Sequence, residues 1–393
     1  MLDRLDWVHP RLEELGVLLS DPQVVQDQQR WRALMQEHSR LEPLDAAAMA
    51  AARERQGMLA KPPGSLGRLE ELSIQLAGIT GRLQNSMDNQ HLLVFAADNG
   101  VVEEGVASTP QIVTLQQTVN LTRAKTGASA LCKHFGCGIT VVDVGVMYDV
   151  PEPKVLNRKI AYGTANMAKG PAMTRQQAER AILTGIEVAR DTRADVLGVG
   201  EMGIGNTTTS SAVLSVLLGL PVEEVTGRGG GLTDEAFQHK KEVIRRAIRL
   251  NNPDPADPID VLSKVGGFDL AAMCGAFIGA AATHRPVVID GFISVAAAVC
   301  AARLCPNVRE YLVPSHASFE IGYARAMEDL KLQPMLLLGM RLGEGSGCPL
   351  AFQILSAACG VMNGMATFDQ AGINDDYLEQ LRQGDKFTVE KKP

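Results

Sequence analysis

The stretch "ADVLGVGEMGIGNTTTSSAVLSVLLG", residues 194–219, changes character twice within a few residues. A short apolar run ends at Gly200, a turn carries Gly203 and Gly205, and a Thr- and Ser-rich start leads into an apolar segment of helical length. An apolar run too short for a helix reads as a strand buried on both faces, and a glycine turn that opens a helix aims free backbone N–H groups at whatever sits before it. Neither common phosphate fingerprint is present: no Lys directly precedes the Ser or Thr, and the glycines lack the one-then-two spacing of a dinucleotide loop. The turn therefore predicts an anion at a helix start, with the carboxylate of Glu201 beside it.

The same unit recurs along the chain. "HLLVFAADNG", "GITVVDVGV", "RPVVIDGF", "REYLVPSH" and "PMLLLGMRLGEGSG" each read as an apolar run entering a polar or glycine turn, with helical stretches between them. That alternation predicts an α/β fold, a mostly parallel sheet flanked by helices in a Rossmann-like three-layer arrangement, over residues 90–369. Asp98, Asp143, Glu201, Asp290, His316 and Glu344 follow these runs. In an open α/β sheet such positions gather at one crevice beyond the carboxyl ends of the strands. Residues 43–89, with 370–393, read as a smaller helical lobe, interrupted at "KPPGSLGRLEEL" by a turn from which a helix restarts at Ser65. Residues 1–42 read as a helical hairpin, with Leu12, Leu15, Leu18 and Leu19 on one stripe and Trp31, Leu34 and Met35 on another.

Composition narrows the function. With 38 basic against 45 acidic residues, a net charge of −7, the chain lacks the basic field that nucleic-acid binding needs. The N-terminus carries charges where a signal peptide would be apolar, and the longest apolar run, near Val287 to Leu304, is interrupted by Asp290. A cytoplasmic protein with no membrane partner is expected. The 7 cysteines form no CxxC pair and fall mostly in apolar segments, as buried free thiols would.

Three glycine-rich loops hold the chemistry: 200–209, 226–241 and 341–352. In the first, Gly203, Gly205, Asn206 and Thr207 are candidates for phosphate and ribose contacts. In the second, Arg228 and Gly229 lie in a glycine run that lets backbone approach a ligand, and Lys240 follows on a helix. The third presents Glu344 and Gly345. Two glutamates near a phosphate cradle, without His-rich metal spacing, suggest displacement at a sugar carbon: carboxylates stabilise an oxocarbenium-like state and one can act as general base. No metal or cofactor is called for.

From about Leu44 to Ile373 the chain resembles the nicotinate-nucleotide:dimethylbenzimidazole phosphoribosyltransferase family. The resemblance is carried by "LDAAAMAAARERQGMLAKPPGSLGRLEELSIQLAGI", "FAADNGVVEEGV", "GEMGIGNTTT", "GRGGGL", "VGGFDLAAMCGAFIGAAA", "VVIDGFI" and "LGEGSG". It implies transfer of ribose phosphate from nicotinate mononucleotide to a benzimidazole nitrogen, giving nicotinate and α-ribazole 5′-phosphate for the lower ligand of cobalamin. It also implies a homodimer, Glu344 as general base, Glu201 near the ribose and base, and Lys240 against the phosphate. Asp290, Ser318, Gly345 and Asp98 complete the implied site. The family's base-contacting polar groups fall, without gaps, on apolar Ala107 and Leu115 here, with Ser108 and Gln116 one step away, so adenine, other benzimidazoles or phenols enter as acceptors. A stretch of about thirty residues in the N-terminal segment resembles the helical start of bacterial peptide-chain release factors, without their catalytic tripeptide.

Two other readings suit the bare residues: a nucleoside phosphorylase or hydrolase, which needs phosphate or water instead of a benzimidazole, and a non-catalytic nucleotide-binding or interaction protein.

Overall fold

The computed structural model describes residues 43–378; the expected hairpin at 1–42 lies outside them. Two compact units are present, one made of 89–352 and the other of 44–88 with the chain from Gln353 onward. The second unit thus takes up the chain inside the helix Cys348–Gly364, earlier than the position near 370 expected from sequence.

The larger unit is built on a six-stranded sheet in the order β3-β2-β1-β4-β5-β6. The strands are β1 Gln90–Ala97, β2 Gly138–Gly145, β3 Leu156–Asn157, β4 Val196–Met202, β5 Val287–Ile289 and β6 Leu312–Pro314. Every neighbouring pair is parallel, in register Leu93↔Thr140, Leu93↔Val199, Val199↔Ile289 and Ile289↔Pro314. Leu92, Leu93, Val94 and Phe95 are all fully buried, so both faces of β1 are covered, which is why its sequence is continuously apolar instead of alternating. A Cβ on Gly145 would stand 2.6 Å from Phe268 Cδ2, at the start of the helix Phe268–Ala282. On the opposite face, a Cβ on Gly198 would stand 2.6 Å from Cys348 Cβ.

The chain moves outward from β1 through β2 to β3, then returns to the other side of β1 as β4. The reversal between β1 and β4 opens a crevice at their carboxyl ends, where Asp98, Asn99 and Glu201 stand.

"PMLLLGMRLGEGSG" is not a strand. Apart from one bridge between Leu336 and His316 it is irregular, because the backbone turns left-handed at Gly339, Gly343, Glu344 and Gly345, with φ of 63, 85, 63 and 85°. Leu337, Leu338 and Leu342 are exposed. All 7 cysteines are free, and of these only Cys137 is more than slightly exposed. Among the described residues no helix is long and apolar enough to cross a membrane.

In the smaller unit the helices Ala46–Met58 and Arg68–Thr80 pack Ala52 and Ala77 against Met362, and Gln56 donates to Ser73 Oγ at 2.9 Å. The second helix starts at Arg68, after a turn in which Gly67 has φ 51°, and not at Ser65. Lys61 pairs with Glu70 at 2.7 Å and Glu70 accepts the Leu66 N–H, so this turn is fastened to the helix that follows it.

Candidate active site

A cavity of about 190 Å³ opens at the carboxyl ends of the strands. β4 delivers Glu201, and the turn after it delivers Gly203, Gly205, Asn206 and Thr207 to the cavity wall. Gly205, at φ 93°, is the residue from which the helix Asn206–Leu218 starts, a conformation costly for any side chain. The helix axis thereby directs its positive end into the cavity.

The glycine loop after Val225 closes one side. Arg228 and Gly229 line the cavity, with Lys240 from the helix Asp234–Asn251 behind them. Lys240 is almost fully buried, and its Nζ donates to Thr207 Oγ1 at 2.9 Å and to the Gly227 carbonyl at 3.2 Å. Burial pulls this ammonium down to about 8. Two neutral acceptors leave a third N–H donor for an anion in the cavity. The Arg228 guanidinium is bonded to Asp234 and to the Leu232 carbonyl.

Glu344 sits on a backbone that three groups hold in place. Its own N–H donates to Glu201 Oε1 at 3.2 Å, while Gly345 N–H and Gly347 N–H donate to the two oxygens of Asp290 at 3.0 and 2.7 Å. A non-glycine residue at φ 63° costs on the order of 1 kcal/mol, and such strain persists only where the surroundings over-determine it. Glu344 Oε2 accepts the Ala128 N–H at 3.2 Å, in the first turn of the helix Gly127–Phe135. The loop also lies hard against β4: a Cβ on Gly200 would stand 2.6 Å from Gly345 Cα and N.

Behind this wall the polar groups are wholly buried. Glu201 Oε2 accepts from Asn206 Nδ2, and Asn206 lies beside Asp269, as does Asn99. Burial, and then the charge of Asp269, pushes the Glu201 carboxyl up to about 8. Asp290 is pushed up to about 7 by burial, against the two glycine N–H donors that favour its charged form. At neutral pH Glu201 is therefore mostly a neutral acid, able to hold the Glu344 loop without adding a charge beside it. Burial also lowers His316, in the cavity wall, to about 4 and leaves it neutral.

Ser108 and Ser318 also line the cavity, as do Val106, Ala107 and Thr109. Gly345 lies directly behind Glu344 instead of in the wall. Two candidates fall outside. Asp98 turns toward β2, where it accepts the Met147 N–H at 2.8 Å, and Gln111 and Thr114 contact it. Gln116 is exposed: on the helix Ile112–Leu121 the buried stripe is Thr114, Thr118 and Leu121, and two residues beyond Thr114 is the opposite face. Sequence reasoning gave no role to Asp269 or Glu320. The motifs "GGFDL" and "SHASFE" contain them, but nothing local marks an acid in a helix start as buried. Among the described residues no group of three or more His, Cys, Asp or Glu is arranged to hold a metal ion.

The family model described as phosphoribosyltransferase matches residues 41–373. A nicotinate-nucleotide–dimethylbenzimidazole phosphoribosyltransferase of Clostridium perfringens is 48% identical over 352 residues, covering 89% of this chain and 98% of the relative. One from Ruminiclostridium cellulolyticum is 52% identical over 336 residues, covering 85% and 96%. A crystal structure of the Thermus thermophilus enzyme of that name superposes with a TM-score of 0.80 at 40% identity, covering 84% of this chain and 99% of that one. A buried ammonium at a glycine-opened helix and a strained, tethered glutamate are thus set in the scaffold of those enzymes, and the chain belongs to the nicotinate-nucleotide–dimethylbenzimidazole phosphoribosyltransferase family.

Proposed function

We propose that the protein transfers the 5-phosphoribosyl group of nicotinate mononucleotide to a ring nitrogen of a benzimidazole-type base, releasing nicotinate and forming α-ribazole 5′-phosphate, the nucleotide of the cobalamin lower ligand. The observation that carries this reading is one cavity lined both by the phosphate cradle of Thr207, Gly229 and Lys240 and by the carboxylate of Glu344.

In this reading Lys240 and the helix start hold the phosphate, and Glu344 accepts the N–H proton of the base. The other ring nitrogen forms the bond to C1′ of the ribose. The C1′–N bond to nicotinate breaks with its electron pair passing to the pyridinium nitrogen, which thereby becomes neutral, so no general acid is required. Attack opposite the leaving group inverts the anomeric configuration. Positive charge grows on the sugar as the bonds exchange, and the carboxylate of Glu344 in the cavity wall stabilises it.

Incubation with nicotinate mononucleotide and 5,6-dimethylbenzimidazole in EDTA, followed by mass spectrometry, tests the reading. Nicotinate and a ribosylated base should form together. Nicotinate without ribosylated base would mean hydrolysis, and no nicotinate at all would refute the transferase assignment. Val106 and Ala107 beside the hydroxyls of Ser108 and Thr109 give the acceptor an apolar wall with polar points, so adenine and a phenol belong in the same assay as competitors.

Lys240→Met should weaken nicotinate mononucleotide binding about tenfold to a hundredfold, as expected for loss of one charge-assisted hydrogen bond, with a smaller change in kcat. Titration calorimetry checks this, and unchanged affinity would remove Lys240 from the cradle. We further place the enzyme in the cytoplasm as a homodimer. Phe319, Ile321, Leu337, Leu338 and Leu342 are exposed apolar side chains on segments next to the cavity, and a second copy would cover them.

A further inference from the structure

The phosphate cradle contains a carboxylate that the proposed reaction does not use. Glu320, the residue preceding the helix Ile321–Leu330, lies in the cavity wall. Its carboxylate lies close enough to the Gly229 backbone N–H to be influenced by it, and its Oε2 is buried without a hydrogen-bond partner. The fit against the glycine loop is close: a Cβ built on Gly227 would stand 1.5 Å from that oxygen. The same Gly227 offers its carbonyl to Lys240 Nζ. Glu320 therefore lies beside a loop N–H and faces the buried ammonium, which are the partners a phosphate oxygen would seek.

A dianionic phosphate arriving in this cradle would share it with a second anion, against one buried cation, in surroundings that screen charge poorly. Of the other nearby cations, Arg228 is committed to Asp234 and the Leu232 carbonyl and Arg325 of the following helix to Glu224, while Arg341 is exposed over the ring of Phe319. Among the described residues, Lys240 is the cation whose charge favours the ionised form of Glu320. We propose that Glu320 makes nucleotide binding proton-coupled: the 5′-phosphate binds with the Glu320 carboxyl protonated, its O–H donating to one phosphate oxygen while Lys240 holds another. Burial already raises this carboxyl above the ordinary glutamate range, opposed by Lys240 and the Gly229 N–H, and a phosphate alongside would raise it further.

The inference rests on the cradle assignment made above. The test is titration calorimetry of the full chain with nicotinate mononucleotide at pH 7, in buffers of different ionisation enthalpy. At that pH the ligand is above the second phosphate pKa of about 6, and Lys240, at about 8, remains mostly charged. Asp290, at about 7, and Glu201, at about 8, lie in the same cavity, so the share of the uptake due to Glu320 is the part that its variants remove. The native chain should take up close to one proton per nucleotide bound. Glu320→Gln, whose amide can donate without a proton being taken up, should bind at least as tightly and lose the uptake. Gly227→Ala gives an independent route to the same state, because its new methyl group occupies the position of Oε2 and displaces the carboxylate without altering Glu320. It too should lose the uptake. Tight binding with no proton uptake in the native chain, or uptake that persists in both variants, overturns this inference alone. Failure of nicotinate mononucleotide to bind at any pH overturns the cradle assignment and this inference with it.

Discussion

Glu344→Gln should lower kcat for phosphoribosyl transfer by about two to four orders of magnitude, the usual contribution of a positioned general base, and leave nicotinate mononucleotide affinity nearly unchanged. The substitution is close to isosteric, and the amide oxygen can still accept the Ala128 N–H that Glu344 Oε2 accepts now. The left-handed turn at residue 344 depends on backbone N–H donors given to Glu201 and Asp290, none of which the side-chain change removes. What is lost is the ability to take a proton. Because that proton moves only as the new bond forms, the defect belongs to the transition state and not to nucleotide binding. Single-turnover kinetics with directly measured binding separates the two, and a variant with native kcat would end the general-base assignment.

The contrast between Glu344 and Glu201 shows where sequence reasoning reached its limit. Both directly follow a glycine, in Gly–Glu–Met–Gly and Gly–Glu–Gly–Ser–Gly, and both are legible as acids beside glycine turns. The run entering Glu201 is a strand buried on both faces, and continuous apolarity identified it. The run entering Glu344 is just as apolar, yet Leu337, Leu338 and Leu342 face outward on an irregular loop. Apolarity records a need to be covered, and it does not say by what. The left-handed φ of Glu344 has no sequence signature, since it follows from three distant carboxylate and amide contacts. The roles of the acids likewise became distinct only in three dimensions. Asp290 turned out to grip the Glu344 loop, Asp98 to support the turn after β2, and Asp269 to sit buried behind Asn206. The parallel sheet could be read from its strand segments, but their order, with the reversal between β1 and β4 that creates the crevice, is a property of long-range pairing.

The crevice also depends on a helix crossing where no side chain intervenes, and Gly275→Ala should be strongly destabilising. The helix Phe268–Ala282 crosses the helix Arg175–Asp191 with their backbones touching. A Cβ on Gly275 would stand 1.8 Å from the Ile182 carbonyl oxygen, and one on Gly185 equally close to that of Ala272. Neither oxygen can rotate away, because each belongs to helical backbone, and Phe268–Ala282 also packs on the sheet through β1, β2 and β4. Overpacking of a core costs about 1–3 kcal/mol and occasionally more, and a backbone clash belongs at or above the upper end. Alanine's better helix propensity returns about 1 kcal/mol. A net loss of about 2 kcal/mol or more should lower the melting temperature by at least about 2 °C in a chain of this length. Gly360→Ala is the matched control: it lies in a helix with nothing within 4 Å of the new methyl, and should be neutral or slightly stabilising. Equal melting temperatures for the two variants would show that the crossing can open without cost. The effect should reach catalysis as well, since Asp269 stands in the first turn of this helix beside Asn206, which in turn holds Glu201. A helix pushed off its partner at Gly275 shifts that buried chain of polar groups, so the folded fraction of Gly275→Ala should show a lower kcat even below its melting point.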